Sequence, residues 1–315
     1  MIFIFYFMLF YVILCYFMLF YVIEFYLFNK KNIYCKIIYM KKFPKNLYQV
    51  WYQGRDNITR KEFVINIKNW EMMNPNWNYQ CLDNDGLEKA CLEYSKDCYD
   101  LYKSMSIMHM KIDLARYVLI YLYGGIYADV DAYVLRPLDY SKYINKVIKT
   151  YEKKNKHVIG VSCCNTNLIE SFFFVQNDKV MNNAIMISSP RNPCMKRFID
   201  YIISTTIKTN YSSNFLQVQN TTGPIAFNNW FMNTCNLNDT ELILFPPNVF
   251  EPCDMGNRNC ILDKDTISIH LFEMSWISPF LRNIILFYYN IKPFIVPVIF
   301  IILFIYFTKR NKMIK

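Results

Sequence analysis

The chain has 315 residues, which is enough for one large domain or for one domain with membrane segments. Hydrophobic residues make up 54% of it and aromatic residues 18%, which is high for a soluble protein. The net charge of +10 would suit nucleic acid, an anionic membrane or an anionic substrate. Because the lysine clusters flank apolar runs and no recognition motif accompanies them, we expect no nucleic-acid partner.

The amino-terminal region is an apolar run. Residues 1–23 carry no charged side chain, and Glu24 is the first charge. At about 1.5 Å per residue such a helix reaches roughly 34 Å, which exceeds a bilayer core of about 30 Å. No basic residue precedes the run and no small-residue cleavage site follows it, so we predict an uncleaved transmembrane anchor at residues 1–28.

Residues 43–280 predict one α/β domain. Alternation in residues 45–52 favours a buried first strand, and the apolar spacing of residues 63–70 is helical. The sequence NPNW at residues 74–77 is typical of a turn. Strands that alternate with helices predict an α/β sheet.

A further helix is predicted at residues 107–121, where apolar residues recur at the intervals of an amphipathic helix. Gly124 and Gly125 follow it, and glycine commonly ends helices because it adopts a left-handed backbone readily. Residues 126–130 then predict a short strand.

Two carboxylates, Asp129 and Asp131, lie at the end of that strand. Side chains two residues apart on a strand point to the same side. Carboxylates this close repel each other unless a cation lies beside them, and oxygen ligands suit Mg²⁺ or Mn²⁺. The pattern predicts a divalent metal site, and a solvated turn with two acids is the alternative.

Asp113 and Arg116 lie three residues apart in the preceding helix and therefore share one face of it. The spacing allows two interpretations. The two side chains form an ion pair within the helix, or they reach the same pocket as the metal.

Residues 284–308 form a second apolar run, for which we predict a transmembrane segment. Pro293 and Pro297 would kink the helix, which membrane helices tolerate. A buried core helix is the alternative, but the basic residues after Thr308 favour the membrane. The positive-inside rule then places the preceding domain in a lumen, although the lysines after the first apolar run favour the cytosol.

The 11 cysteines do not identify the compartment, because they show no zinc-ligand spacing. Cys235, Cys253 and Cys260 would include a disulfide in an oxidising lumen. Glycosylation sequons, which are compatible with lumenal exposure, are found at Asn57, Asn210, Asn220 and Asn238.

The segment KIDLARYVLIYLYGGIYADVD at residues 111–131 resembles the core motif of the DXD-containing glycosyltransferase family 32. That family includes initiation-type α-1,6-mannosyltransferases and inositol-phosphoceramide mannosyltransferases, and it is similar to the catalytic domains of large glucosylating toxins. Further blocks in the family's order are FPKNLYQVW (43–51), NWEMMNPNWNYQCLD (69–83), VMNNAIMISSPRNP (180–193), TTGP (221–224), FPPNVFEP (245–252) and HLFEMSW (270–276). Tyr48 stands where the family usually has His.

The resemblance implies a GT-A domain, an α/β nucleotide-sugar-binding fold, flanked here by the two predicted transmembrane helices. Asp129, Asp131 and His270 would hold Mn²⁺ or Mg²⁺, and the two aspartates would be the catalytic pair. The donor-binding positions that the resemblance implies are Trp51, Asp113, Arg116, Tyr127, Asn183, Ser275 and Trp276.

Roles for these positions follow from the same resemblance. Trp51 would stack on the nucleoside, although a core tryptophan at a strand end is an equally good interpretation. Asp113 and Arg116 would bind hydroxyl groups of the donor sugar. His270, Ser275 and Trp276 would close over the phosphates.

The implied reaction is transfer of a hexose from a nucleotide sugar, with retention at the anomeric carbon. GDP-mannose is the first candidate donor and UDP-sugars stay open, while the acceptor would be a glycan or a glycolipid. The resemblance also implies an integral membrane protein with its catalytic domain in the Golgi or endoplasmic-reticulum lumen.

Two other classes of protein are alternatives. A haloacid-dehalogenase-type phosphatase also uses two aspartates after a strand, but the glycine pair and the short strand before Asp129 do not fit it. A catalytically inactive membrane interaction protein that keeps the fold is the second alternative. The presence of Asp113, Arg116, Asp129 and Asp131 argues against such decay.

Overall fold

The computed structural model describes residues 18, 21–24, 41–154, 156–165, 179–206, 209, 211–235, 238–253, 260–273, 277–291 and 294. The chain divides into two compact units, Met1–Lys42 and Phe43–Lys315. Within the described residues, no helix combines the length and the apolar character that a bilayer crossing requires. Most of the two predicted membrane segments, 1–28 and 284–308, lies outside the described residues, so both stay predictions.

The second unit is built on a six-stranded mixed sheet with the order β2-β1-β3-β6-β5-β7, and β4 pairs with β8 in a separate two-stranded ribbon. The described strands are β1 Asn46–Val50, β2 Asn78–Leu82, β3 Gly125–Ala128, β4 Ala132–Val134, β5 His157–Asn165, β6 Lys179–Ser188, β7 Thr240–Phe245 and β8 Ser268–His270. Strands β1, β2 and β3 are parallel, whereas β6 runs antiparallel to β3 and β5. This sheet confirms the predicted α/β class.

Helices cover both faces of the sheet. Those described in this unit are α1 Lys61–Met73, α2 Asn84–Tyr94, α3 Lys96–Ser104, α4 Met108–Tyr123, α5 Lys142–Lys154, α6 Pro193–Thr206, α7 Asn214–Thr221, α8 Pro224–Asn233, the short α9 Pro247–Phe250 and a last helix, α10, at residues 279–291. Short 3₁₀ turns lie at Arg55–Asn57 and Leu138–Tyr140.

Neighbouring residues of each central strand pack into different cores, because side chains alternate along a strand. Leu47 and Ile126 belong to the core that also contains side chains of α5 and α9. Tyr48 and Tyr127 belong to the opposite core, with α2, α4, α6 and α8. The domain is therefore a three-layer sandwich with the sheet in the middle.

Helix α4 differs from its prediction. It was expected to be amphipathic, but Met110 and every residue from Asp113 to Leu122 are buried. The helix lies between the sheet and other helices, and a helix that is apolar on nearly all sides is a buried one. Asp113 and Arg116 are thus charged residues inside the protein, at 5% and 6% exposure.

The glycine pair ends α4 as predicted. Gly124 has a φ of 65°, and Gly125 has a φ of 111° in the first position of β3. A Cβ atom on Gly125 would lie 2.3 Å from the carbonyl oxygen of Asn46. Glycine is therefore needed both for the backbone angle and for the close approach of β1 to β3.

The cysteines form two disulfides among the described residues. Cys253 is bonded to Cys260, as the sequence allowed, and Cys235 is bonded to Cys194. Their Cα–Cα distances of 4.9 and 5.7 Å lie within the usual range for disulfides.

Candidate functional site

The candidate site lies where β1 and β3 end. Both strands are parallel, so Trp51 and Asp129, the residues that follow them, meet at one edge of the sheet. The antiparallel strand β6 adds Asn183 at the same edge, because the Asp129 amide donates to the neighbouring Ala184 carbonyl at 2.9 Å.

Asp129 and Asp131 converge for a reason that the sequence did not predict. The expected strand at 126–130 ends at Ala128, so neither carboxylate stands on it. A tight turn follows instead, closed by a 3.0 Å hydrogen bond from the Ala132 amide to the Asp129 carbonyl. Alternation along a strand was therefore the wrong explanation, since the turn brings the two acids together.

Helix α1 holds this turn in place through buried polar side chains. The Asn66 amide nitrogen donates to the carbonyls of Val130 and Ala132 at 2.9 and 2.8 Å, and its oxygen accepts from the Val134 amide at 3.2 Å. The Trp70 indole also donates to the Ala132 carbonyl at 2.8 Å. Sequence analysis missed Asn66, although a polar residue on the apolar face of a predicted helix was a usable signal.

His270 reaches the turn from the far end of the chain. It ends β8, and it pairs with Ala132 in the β4–β8 ribbon. Its Nε2 lies 3.4 Å from Asp131 Oδ1. One ligand atom from each of Asp129, Asp131 and His270 lies within 4.8 Å of the others, a group that could hold one metal ion. The structure thus brings together the three predicted metal ligands.

The ligand set has the chemistry of a hard divalent cation. Two carboxylates and an imidazole suit Mn²⁺, and Mg²⁺ is also compatible with the carboxylates. The Asp129 and Asp131 side chains keep 24% and 18% of their surface exposed, so ligands from outside the protein can reach them. The residues therefore fit a metal that is shared with a bound substrate.

Arg116 joins the cluster of Asp129, Asp131 and His270 to the buried helix. Its Nη2 lies 3.2 Å from Asp113 Oδ1, and its Nη1 lies 3.2 Å from Asp129 Oδ1. Both interpretations of the Asp113–Arg116 spacing are thus partly right, because the ion pair within α4 extends to the acid of the turn. Tyr127 completes this contact by donating its hydroxyl to Asp129 Oδ1 at 2.6 Å, with its ring 4.5 Å from the guanidinium carbon.

Burial and charge act in opposite directions on the acids. Burial raises the pKa of Asp129, against the lowering effect of Arg116, and raises the pKa of Asp113 to about 7. Burial also acts to raise the pKa of Asp131, but the contact with His270 holds it below its usual value. The pKa of His270 is well above its usual value despite burial, because Asp131 favours the imidazolium.

Asn183 belongs to a network around Asp113. Its amide nitrogen donates to Asp113 Oδ1 at 3.0 Å and to the Tyr117 hydroxyl at 2.8 Å. The Thr222 hydroxyl donates to Asp113 Oδ2 at 3.2 Å. Within the described part of the chain, the buried Arg116 Nε has no hydrogen-bond partner. Tyr117 and Thr222 were not predicted as site residues, although TTGP was one of the matching blocks.

Trp51 lies at the rim of the site and is half-buried. Its ring packs against Phe63 at 5.7 Å, in a cluster that also contains Val130 of the turn. Its indole nitrogen is buried with no hydrogen-bond partner among the described residues. Trp51 is thus beside the turn that carries Asp129 and Asp131. Ser275 and Trp276 lie outside the described residues, so their predicted roles stay predictions.

Glu251 is a further site residue that the sequence did not single out. It is 4% exposed, and its Oε1 accepts hydrogen bonds from Ser162 at 3.1 Å and Asn182 at 2.9 Å. The same oxygen lies 3.4 Å from His270 Nδ1, a charge contact, since this nitrogen forms no hydrogen bond among the described residues. A carboxylate on the second nitrogen of a ligating histidine commonly orients the ring.

Comparison with known proteins agrees with this arrangement. Residues 60–157 match the family model described as the glycosyltransferase sugar-binding region containing the DXD motif. An initiation-specific alpha-1,6-mannosyltransferase of Candida albicans is 29% identical over 127 residues, which are 38% of this chain and 32% of that protein. An uncharacterized glycosyltransferase of Acanthamoeba polyphaga mimivirus is 26% identical over 252 residues, covering 78% of this chain and 88% of that one.

A solved structure described as PaToxG glycosyltransferase is 17% identical, with a TM-score of 0.40 over 68% of this chain and 78% of that one. The match to the Candida albicans protein spans only about a third of that relative's length, 32%. Residues 60–157, which contain Asp113, Arg116, Asp129 and Asp131, are thus similar to the sugar-binding region of DXD-containing glycosyltransferases, and the family resemblance of the motifs is confirmed.

Proposed function

We propose that the chain is a metal-dependent, retaining glycosyltransferase of the GT-A type that moves a hexose from a nucleotide sugar to an acceptor. The observation that carries this proposal is the convergence of Asp129, Asp131 and His270 beside Arg116. The catalytic pair and Arg116 lie inside the matched sugar-binding region, and His270 comes from outside it.

Asp129, Asp131 and His270 hold Mn²⁺ or Mg²⁺ in this proposal. When bound, the metal neutralises the charge that develops on the departing nucleoside diphosphate. Asp131 is fixed for this task by the Glu273 amide, which donates to its Oδ2 at 3.0 Å. Asp129 is held by Tyr127 and Arg116.

The buried network orients the donor sugar. Asp113 accepts from Asn183 and Thr222, so its carboxylate is locked in one orientation before the sugar arrives. Arg116 holds the same carboxylate through its Nη2, which lies 3.2 Å from Asp113 Oδ1. Trp51, which is half-buried at the rim, presents an indole face to the nucleoside. A front-face transfer needs such positioning and charge stabilisation, without a covalent intermediate.

GDP-mannose is the first donor to test, because the matched Candida albicans relative is a mannosyltransferase. UDP-sugars are the alternative donors. The proposed acceptor is a glycan or a glycolipid, and the proposed location is a membrane with the domain in the Golgi or endoplasmic-reticulum lumen. Support for the lumen comes from the two disulfides and from the exposed sequon residues Asn57 and Asn238.

The test is release of nucleoside diphosphate by the full-length chain with Mn²⁺ and a panel of donors. The panel contains GDP-mannose, UDP-glucose, UDP-galactose and UDP-N-acetylglucosamine, each with and without chelator. The Asp129→Asn/Asp131→Asn double variant serves as the blank. Asp97→Asn, which removes an exposed carboxylate from the first turn of α3, serves as the matched control.

The expected result is metal-dependent turnover of one donor, which is retained in Asp97→Asn and lost in the double variant. Full activity in the double variant would rule out the metal role. A folded protein that binds neither Mn²⁺ nor any nucleotide would support the inactive interaction protein instead. Mn²⁺-dependent nucleotide binding without turnover would keep the transferase and indicate that its acceptor is missing from the assay.

A further inference from the structure

One contact beside the site has no role in the proposed reaction. Arg60 and Glu273 are far apart in sequence, yet the two side chains meet through a pair of hydrogen bonds. Arg60 Nη1 donates to Glu273 Oε2 at 3.0 Å, and Arg60 Nη2 donates to Glu273 Oε1 at 3.3 Å. Two parallel bonds between a guanidinium and a carboxylate determine both distance and orientation.

Glu273 belongs to a short segment, 271–273, that wraps around Asp131. The Leu271 amide donates to the Asp131 carbonyl at 3.1 Å, and the Glu273 amide donates to Asp131 Oδ2 at 3.0 Å. One residue of the turn is therefore held through its backbone and its side chain. The Glu273 backbone orients a proposed metal ligand while its carboxylate faces Arg60.

The middle of this segment is strained. Phe272 has a φ of 51°, a left-handed conformation that a bulky residue rarely adopts. Its ring packs at 4.1 Å against the ring of His270. Such a conformation persists only where neighbouring contacts hold it. The Asp131 hydrogen bonds hold one side of the segment, and Arg60 is a contact on its other side.

Arg60 is itself positioned for this task. Its Nε donates to Glu62 at 2.8 Å, and its guanidinium carbon lies 4.2 Å from the centre of the Phe63 ring. Phe63 in turn packs against Trp51, the proposed nucleoside-stacking residue. A continuous set of contacts thus connects Trp51 at the rim, the first turn of α1 and the segment that orients Asp131.

We propose that Arg60 is a positioning residue, which holds segment 271–273 against Asp131 through Glu273 and thereby presets the metal site. Arg60 touches neither the proposed metal nor the donor in this proposal. Its effect on metal binding rests on the proposed function, but its effect on the segment does not. These two consequences can be measured separately.

The experiment is a double-mutant cycle in the full-length chain with Arg60→Ala, Glu273→Ala and the combined variant. The first measurement is hydrogen exchange at the Leu271 and Glu273 amides without metal. The second is the dissociation constant of Mn²⁺. Arg60→Lys tests whether charge alone is enough, because lysine keeps the charge but cannot form the paired hydrogen bonds.

The matched control is Arg55→Ala. Arg55 forms a single 2.8 Å contact with Glu71, and its side chain is 41% exposed, close to the 40% of Arg60. The control pair lies on neighbouring elements and has no hydrogen bond to segment 271–273 among the described residues. Because half-exposed ion pairs contribute little to global stability, we expect both arginine variants to have the same melting temperature.

We expect each single variant of the Arg60–Glu273 pair to weaken Mn²⁺ binding about tenfold and to accelerate exchange at the Glu273 amide. The combined variant should resemble either single one, since both remove the same contact. Arg60→Lys should be intermediate and Arg55→Ala unchanged. Unchanged exchange in Arg60→Ala, or an equal change in Arg55→Ala, would overturn the proposal.

The two proposals fail in different ways. If the unsubstituted chain does not bind Mn²⁺, the proposed function fails, and exchange at the two amides still decides the role of Arg60. If Mn²⁺ binds and turnover occurs, but the effects of Arg60→Ala and Glu273→Ala add up in the combined variant, the positioning role fails. The proposed function then still stands.

Discussion

The two halves of the candidate site are built on opposite principles. The network of Asp113, Arg116 and Asn183 is buried, and each of its members has a fixed hydrogen-bond or ion-pair partner. The cluster of Asp129, Asp131 and His270 has partly exposed carboxylates contributed by a turn and a distant strand. The charges of the first half are paired in the folded chain, whereas the second half collects negative charge that a cation would balance.

Because of this difference, we expect substitutions in the buried network to lower stability and substitutions in the carboxylate cluster to lower activity. Removing a member of the buried network leaves an uncompensated polar or charged group inside the protein. Removing a carboxylate from the cluster reduces repulsion between Asp129 and Asp131, which offsets part of the cost of any contact that is lost. We therefore expect the two halves to respond differently to substitution, and the following four predictions test that contrast.

The largest effect is expected from Arg116→Ala. This change leaves Asp113 and Asp129 without their shared cation, and breaking a buried ion pair costs about 3–5 kcal/mol. Urea unfolding of the variant measures this loss, with Arg197→Ala as a control that breaks an exposed arginine–aspartate pair. Equal stability of the two variants would contradict the view that the buried network stabilises the fold.

Asp131→Asn should separate the two halves most clearly. We expect metal-dependent turnover to fall at least about a hundredfold, because a proposed ligand is lost. The free energy of unfolding should change less than in Arg116→Ala, since the amide oxygen can still accept from the Glu273 N–H, although the charge contact with His270 is lost. A loss of stability as large as that of Arg116→Ala would break the comparison.

Asn66→Ala tests the connection between the core and the cluster. The substitution removes three hydrogen bonds that hold residues 130–134, so the free energy of unfolding should fall by about 1–3 kcal/mol. Mn²⁺ binding should weaken in parallel, because the turn that aligns Asp129 and Asp131 is loosened. Calorimetry of unfolding and of metal binding measures both. Unchanged metal affinity would show that the turn is held by other contacts.

Glu251→Gln should have the smallest effect of the four. The amide keeps the volume and one acceptor oxygen, but it lacks the charge that faces His270 Nδ1. We expect Mn²⁺ affinity to fall about tenfold while the fold is retained. Ser162→Ala is the control, since it removes another partner of Glu251 and leaves the contact with His270 in place. A larger loss of Mn²⁺ affinity in Ser162→Ala than in Glu251→Gln would show that Glu251 acts through its packing and not through its charge.

Local features of the site were readable from the sequence. The helix, the glycine stop and the strand before Asp129 follow from apolar spacing and from glycine's backbone freedom, both of which depend on neighbours along the chain. The DXD blocks also indicated the family, which the match of residues 60–157 confirms. Even the pairing of Asp113 with Arg116 was a stated alternative.

The predictions were wrong where a property depends on contacts between residues that are far apart in the chain. Helix α4 has the spacing of an amphipathic helix, yet layers on both sides bury it. Asp129 and Asp131 were assigned to a strand, yet a turn held by Asn66 aligns them. Glu251 could not be identified as a site residue from its neighbours, because it is simply an acidic residue in an apolar stretch of sequence.

By itself, therefore, the sequence determined the first strand, the helix before the glycine pair, the short strand that becomes β3, and the family resemblance of residues 60–157. Those depend on short-range periodicity and on the backbone preferences of glycine. Only the tertiary structure decided that His270 pairs with the β4 ribbon beside Asp131, that Glu251 faces its other nitrogen and that Arg60 reaches Glu273. Such contacts join residues far apart in the chain, and they exist only once the sheet and the helices pack together.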